Sequence, residues 1–144
     1  LGSVEVESTN EFLSHLSSVA SCLNKGGLYL IDGAAEFDWT RRVGDNWTMI
    51  KDGMTVNVTW EIIPVNLVEQ KVIDKGTVEV IEGGKTRIFK VEKFGKVTFP
   101  QEFLAQVDKN GEFEFVGWYN DFDLTQPLEK TTNFNRPMTL LRRR

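Results

Sequence analysis

The chain has 144 residues, 40% of them hydrophobic and 26% charged, with a formal net charge of -4 at neutral pH. That length holds one core of useful size, and the composition is that of a folded rather than a disordered chain. No window approaches the roughly 20 apolar residues of a membrane helix, and a net acidic chain is not built around nucleic-acid phosphates.

The first element reads as a helix. Ser8-Thr9-Asn10-Glu11 fits a capping box, and Phe12, Leu16, Val19, Ala20 and Leu23 follow at helical spacing. Gly26-Gly27 supplies a left-handed stop. The single His15 and the single Cys22 lie on this helix, seven residues apart. Two turns separate them, too far for a hydrogen-bonded nucleophile and base. One Cys and one His also exclude an intrachain disulfide and a structural zinc site.

Leu28-Tyr29-Leu30-Ile31 is a short apolar run ending in Asp32-Gly33. A helix, a tight turn, a buried strand and an acidic loop together predict a parallel sheet covered on both faces, with Asp32 at a strand's carboxyl end. From Asn46 to about Phe99 the period changes to two. Met54, Val56, Val58, Trp60 and Ile62 alternate with polar residues, and Asp52-Gly53 and Gly83-Gly84 each mark a hairpin. A weaker strand is expected over 67–73. The expectation is an antiparallel sheet of about four or five strands with one packed face and one polar face.

Thr98-Phe99-Pro100-Gln101 offers a cap for a second helix, with Phe103, Leu104 and Val107 on its apolar side and Gly111 at its end. Phe113 to Trp118 reads as a strand, residues 120–137 as a polar loop containing Phe122 and Phe134, and Met138 to Leu141 as a last strand. The basic clusters Lys85-Thr86-Arg87 and Arg142-Arg143-Arg144 read as solvated. The chain opens Leu1-Gly2-Ser3 without an initiator Met or a basic-then-apolar leader. The expectation is a cytoplasmic piece of something longer.

The stretch FLSHLSSVASCLNKGGLYLID, Phe12 to Asp32, resembles the segment of class I S-adenosylmethionine-dependent methyltransferases that runs through a helix into the fifth sheet strand. Lys25 stands where that pattern has Pro. TFPQEFLAQVDKNGEFEFVGWY, Thr98 to Tyr119, resembles the family's last helix and sixth strand, with one residue inserted at Gly111-Glu112-Phe113. Asp121-Phe122-Asp123 and Met138 to Arg142 fit the approach to the seventh strand and that strand itself.

The resemblance implies an α/β chain of class I type: the C-terminal part of a Rossmann-like methyltransferase sheet (strands 5, 6 and 7) with an inserted antiparallel β-sheet. As one fragment it would divide into 4–32 (helix and strand 5), 33–97 (the insertion) and 98–144 (helix and strands 6 and 7). The family's Gly-rich cofactor loop after the first strand and the acidic residue ending its second strand would precede residue 1, and this sequence has no G-x-G. S-adenosylmethionine is thus the implied cofactor of the whole protein, with no cofactor-binding or metal-binding residues expected here and no catalytic residue assigned.

The resemblance implies that the insertion builds the substrate side of the site or an oligomer contact. Asp32, Glu36, Trp39, Trp47, Trp60 and Tyr119 are the candidates for contacting a small-molecule substrate: rings to wall a pocket, carboxylates to orient an amine or hydroxyl. Partners are expected to be a small molecule and a second copy, joined as a homodimer or swapped oligomer where a fourth strand should pair, with no nucleic acid and no membrane. The fragment alone would be inactive. The competing reading is a self-contained β-rich binding module, a small open barrel around an apolar ligand without catalysis.

Overall fold

The computed structural model describes residues 4–37, 44–131 and 133–144. In chain order they form α1 (Thr9–Cys22), β1 (Leu28–Asp32), β2 (Asp45–Lys51), β3 (Met54–Asn66), β4 (Lys71–Glu82), β5 (Lys85–Lys96), α2 (Pro100–Asn110), β6 (Phe113–Asn120), β7 (Asp123–Pro127), a 3-10 turn (Leu128–Lys130) and β8 (Pro137–Arg143). They divide into two compact units. One contains α1, β1, α2 and β6 to β8, and the other β2 to β5. Among the described residues, no helix is long and apolar enough to cross a membrane.

In the first unit, Ser8 caps α1, its hydroxyl accepting from the Glu11 N–H at 3.2 Å. Glu11 closes the box one residue further out than a standard one, accepting from the Glu7 N–H at 2.7 Å. The helix ends on Leu23 in an extended conformation, so the glycine pair does not stop it. Gly26, at φ +79°, instead redirects the chain into β1. Its N–H donates to the Arg143 carbonyl at 2.7 Å. Arg143 is not a solvated cation. Its guanidinium donates to the Ala20 carbonyl at 3.2 Å, at the end of α1, and pairs with Glu112 at 2.6 Å.

The sheet of this unit has the order β1-β8-β6-β7. Among the described residues, no strand pairs parallel with β1. β1 pairs antiparallel with β8, and so does β6. β1 and β6 therefore run parallel to each other with β8 reversed between them. Coverage of the second face is uneven: Leu28 and Leu30 on β1 are 57% and 42% exposed there, while Met138 and Leu140 on β8 are 2% and 8% exposed. The helix-facing side carries the core: Phe12, Leu16, Ala20, Ile31, Phe103, Val107, Phe113, Trp118 and Leu141. Each large apolar side chain buried there is worth roughly 1.5–3 kcal/mol.

One device places Trp118 in that core. The register steps from Phe115↔Leu141 to Gly117↔Leu140, leaving Val116 as an extra residue in β6. The alternation shifts by one, so Phe113, Phe115 and then Trp118 share the helix-facing side. The Trp118 ring lies 4.5 Å from Phe115 and 6.4 Å from Phe103.

The expected polar loop after β6 is a hairpin. Asp121 (φ +51°) and Phe122 (φ +61°) are the two left-handed residues of a tight turn between the paired Asn120 and Asp123. α2 begins at Pro100 with Phe99 as its cap residue and no side-chain cap bond, so Thr98 does not cap it. Gly111, at φ +74°, does end it.

Tyr29 packs 6.0 Å from the Phe113 ring, and its hydroxyl lies 2.6 Å from His15 Nε2. Burial pushes the Tyr29 pKa up from its ordinary value of 10.0. The folded state therefore holds this proton more tightly than the unfolded chain. That contribution is fully present below about pH 10, where the unfolded tyrosine begins to ionise, and is lost as pH rises through the higher folded pKa. Urea midpoints measured from pH 8 upward should stay level and then fall beyond about pH 10. Tyr29→Phe should remove part of that fall. A variant with the same alkaline slope as the parent would refute the assignment.

The second unit is a four-stranded meander, β2-β3-β4-β5. Both predicted two-residue hairpins are present, with Asp52 (φ +52°) and Gly53 (φ +77°) in one and Gly83 (φ +55°) and Gly84 (φ +73°) in the other. The separate strand expected over 67–73 is absent. Leu67 and Val68 are exposed in a turn where Asn66 Oδ1 accepts the N–H groups of Val68 and Glu69 at 3.1 and 3.0 Å. Pro64 is tolerated in β3 because pairing with β2 stops at Trp60.

One face carries the row Trp47, Val58, Val78 and Phe89 across all four strands. The Trp60 ring lies over Gly76 on the same face, and a Cβ at residue 76 would come within 2.6 Å of Cζ3. The opposite face carries a polar chain: Thr48 Oγ1 to Asn57 Oδ1 at 2.9 Å and Asn57 Nδ2 to Glu79 at 2.7 Å. The apolar face is less closed than expected. Trp47 and Phe89, at the two ends of its row, remain 46% and 56% exposed.

Candidate functional site

In the first unit the carboxyl ends of β1 and β6 lie side by side with β8 between them. In α/β sheets such ends are where ligands bind. Asp32 closes β1 and pairs across the ladder with Met138, which pairs in turn with Tyr119 of β6. Asp32, Met138 and Tyr119 therefore form one row on the face away from the helices. Two strand spacings, about 10 Å, separate its ends. Below Tyr119 the face is cut back by Gly117. The phenol ring folds over it, and a Cβ there would stand 3.0 Å from the ring and hydroxyl.

Arg136, from the segment leading into β8, reaches Asp32 with Nε at 3.0 Å and Nη2 at 2.5 Å, both donating to Oδ2. Its guanidinium also lies 5.0 Å from the centre of the Phe122 ring. The Asp32 carboxylate, first by hydrogen bonding and then by charge, raises the Arg136 pKa further, so this cation stays charged at any working pH. The Asp32 side chain is 18% exposed and that of Arg136 is 52% exposed, which leaves the pair open to solvent on the arginine side.

Asn120 holds Arg136 in place. Its Oδ1 accepts the backbone N–H of Asn135 at 2.9 Å and of Arg136 at 3.3 Å, and its Nδ2 donates to Asp121 at 3.2 Å. Asp121 also accepts from Asn135 Nδ2 at 3.0 Å. These bonds hold a turn in which Phe122 occupies a left-handed conformation that non-glycine residues avoid. Asp123, next in the chain, accepts from the Thr125 hydroxyl at 2.7 Å, from the Thr125 N–H at 2.9 Å and from Gln126 at 2.8 Å. Those bonds, the Thr125 hydroxyl foremost, lower its pKa.

Of the residues singled out in the sequence, the structure brings Asp32 and Tyr119 into one row. Glu36 follows β1, with its backbone N–H donating to the Thr98 carbonyl at 2.9 Å. Trp47 and Trp60 share the apolar face of the second unit as diagonal neighbours on β2 and β3. Trp39 falls outside the described residues. The sequence reading missed Arg136, Asn120 and Phe122. The signal was the dipeptide Asn120-Asp121, a turn former at the end of a strand, with Asn135-Arg136-Pro137 entering the next strand.

Among the described residues, no glycine-rich loop joins a strand to a helix. The link from β5 to α2, the strand-to-helix passage among the described elements, is Val97-Thr98-Phe99 and contains no glycine. The left-handed glycines described within the two units lie in hairpins, at the end of α2, in the turns flanking β1 and next to β2. Among the described residues, no group of three or more His, Cys, Asp and Glu could hold a metal ion.

No protein-family model matches the sequence, and no curated protein matches it. Solved structures do. An S-adenosylmethionine-dependent methyltransferase from Clostridium acetobutylicum superposes with a TM-score of 0.67 at 13% identity, over 93% of this chain and 51% of that one. CalS10, an amino pentose methyltransferase from Micromonospora echinaspora solved with S-adenosylmethionine bound, gives 0.68 at 12% identity, over 96% and 53%. The sugar N-methyltransferase KedS8 from Streptoalloteichus gives 0.65 at 14%, over 94% and 50%. At these identities the likeness is one of fold: the chain has an α/β fold similar to that of S-adenosylmethionine-dependent methyltransferases, and it spans about half of their length.

Proposed function

We propose that this chain is the substrate-side, C-terminal portion of an S-adenosylmethionine-dependent methyltransferase acting in the cytoplasm on a small molecule. The observation that carries this reading is the fold likeness to such enzymes across almost all of this chain and half of theirs. In this reading β1, β6 and β8 are strands 5, 6 and 7 of the enzyme's sheet, and the second unit is the insertion after strand 5. The order β1-β8-β6 supports it, because among the described residues no strand pairs with the far side of β1, where a further strand fits. For the isolated chain, a second copy can take that place. CalS10 and KedS8 act on sugars, and an amino sugar or a similar polyol is the substrate class we favour.

Methyl transfer needs a lone pair aligned with the sulfonium methyl, and most of the rate comes from holding that alignment. The Asp32 carboxylate accepts a hydrogen bond from a substrate amine or hydroxyl, with Arg136 fixing its orientation. Tyr119, at the other end of the row, offers a phenol to the same substrate. Within the second unit, taken by itself, Trp47 and Trp60 present aromatic faces of a kind that lines small-molecule pockets.

The test has two parts. Titration calorimetry of this chain with S-adenosylhomocysteine should show no binding. In the product of the longer reading frame, Asp32→Ala should cost about 10- to 100-fold in kcat/KM while leaving cofactor affinity unchanged. Micromolar cofactor binding by this chain would overturn the placement of the cofactor site, and full activity in Asp32→Ala would remove that residue from the substrate side. Binding of an apolar ligand by a longer product devoid of transferase activity would favour the non-catalytic binding module.

A further inference from the structure

Asparagine occurs nine times in this sequence, and only Asn110 is followed by glycine. Two local demands bring that pair about. α2 ends in a left-handed turn at φ +74°, which calls for Gly111. The last residue of the helix is the one that reaches across to α1, which calls for a side chain that both donates and accepts. Asn110 Nδ2 donates to the Leu13 carbonyl at 3.3 Å and to the Ser17 hydroxyl at 3.0 Å, and Oδ1 accepts the Glu112 N–H at 3.3 Å. The Ser17 hydroxyl gives its own proton to the same Leu13 carbonyl at 3.1 Å. Both groups that α1 turns toward residue 110 are therefore acceptors, and an NH2 group satisfies them.

An asparagine–glycine pair carries a reaction of its own. The Gly111 nitrogen, with no Cβ beside it to hinder approach, attacks Asn110 Cγ. The N–Cγ bond forms, the Cγ–Nδ2 bond breaks, and ammonia leaves with the proton of the Gly111 N–H. Water then opens the five-membered imide at one of its two carbonyls. One opening gives aspartate at this position. The other gives isoaspartate, with the backbone rerouted through Cβ.

The native fold restrains both reacting groups. The Gly111 N–H is bound to the Val107 carbonyl at 3.1 Å, and the amide is held by its three bonds. Attack therefore waits on release of this helix end, an opening of the kind that local unfolding supplies well before the whole domain unfolds.

The product does not re-form the contact. A carboxylate has no proton to give to the Leu13 carbonyl or the Ser17 hydroxyl. Its charge also stands at the C-terminal end of α2, where the helix dipole disfavours an anion. Isoaspartate adds a backbone atom just before Gly111 and displaces the N–H that bonds to Val107. Each product favours the open end from which it arose.

We propose that Asn110-Gly111 is a site of spontaneous amide loss, gated by the polar contact between α1 and α2 and destructive of it. This chemistry stands whether or not the chain serves a methyltransferase.

The test follows the chain folded in mildly alkaline buffer and, in parallel, unfolded in urea, with peptides weighed over time. In the folded chain Asn110 should be the first asparagine converted, with isoaspartate among its products, at a rate about tenfold below that in urea. Ser17→Ala removes one of the two acceptors from an exposed position of α1 and keeps a good helix former there. It should speed the folded reaction about threefold and leave the urea rate unchanged. Asn110→Asp installs one product directly and should quicken amide exchange at Gly111 about tenfold. Equal rates in the folded and unfolded chain, a different asparagine converted first, an Asn110 that never converts in the folded chain, an unchanged folded rate in Ser17→Ala, or unchanged exchange at Gly111 in Asn110→Asp would each overturn the proposal.

Discussion

Phe103→Ala should lower the unfolding free energy by about 3–5 kcal/mol, the largest loss expected from any single truncation in the first unit. Phe103 is 0% exposed and stands between two rings, with Phe12 5.5 Å away and Trp118 6.4 Å away. It thus ties α2 both to α1 and to β6. Truncation removes the ring's own burial and leaves a cavity that three separate elements would have to close. A domain of this size has only about 5–15 kcal/mol in total, so the variant should sit near the edge of folding. Urea unfolding should show a much lower midpoint with an unchanged slope, whereas Phe103→Leu should lose less than half as much. A loss below about 1 kcal/mol would mean that the two helices do not share one core.

Asn120→Ala is expected to cost about 2–3 kcal/mol, a large effect for a polar residue at the end of a strand. Asn120 is 7% exposed and serves as acceptor for two backbone N–H groups, those of Asn135 and Arg136. Alanine leaves both donors without that partner and frees the segment that aims Arg136 at Asp32. Asn120→Asp keeps the acceptor, loses the bond to Asp121 and adds a second carboxylate beside it, so its cost should be smaller. Amide exchange at Asn135 and Arg136 should quicken in the alanine variant well before global unfolding. Unchanged protection at these two amides would show that Asn120 does not hold the segment.

These two residues mark the boundary of what local sequence could show. Phe103 is legible because it recurs with Val107 on one side of a helix that opens with Pro100 and closes with Gly111. The hairpins at Asp52-Gly53 and Gly83-Gly84 are legible for the same reason: their turn residues have few other conformations. The turn at Asp121-Phe122 was missed because a phenylalanine stands where the geometry favours glycine, and it is held there by bonds from Asn120, Asn135 and Arg136, which come from two segments distant in sequence. The same limit explains the parallel sheet that was expected around β1. A helix, a turn and a strand specify that a strand exists but not its neighbour, and the neighbour comes from the opposite end of the sequence, with Asp32 meeting Met138. Asp32 and Tyr119 could be named in advance as residues at strand ends. Their common row depends on β8 lying between them, and nothing local encodes that.

The extra residue Val116 makes β6 tolerant of a change in length at one point. Many side chains could stand there, since it occupies the bulge and carries no cross-strand partner. Its loss would be absorbed as well. With one residue fewer, Phe115 meets Leu141, Gly117 meets Leu140 and Trp118 meets Thr139 as an unbroken ladder, so Trp118 and Asn120 keep their side of the sheet and Tyr119 keeps its place in the row. What would go is the extra twist that a bulge gives its strand. A one-residue gap at this point, in any chain compared with this one, therefore signals a straightened strand rather than a rebuilt surface.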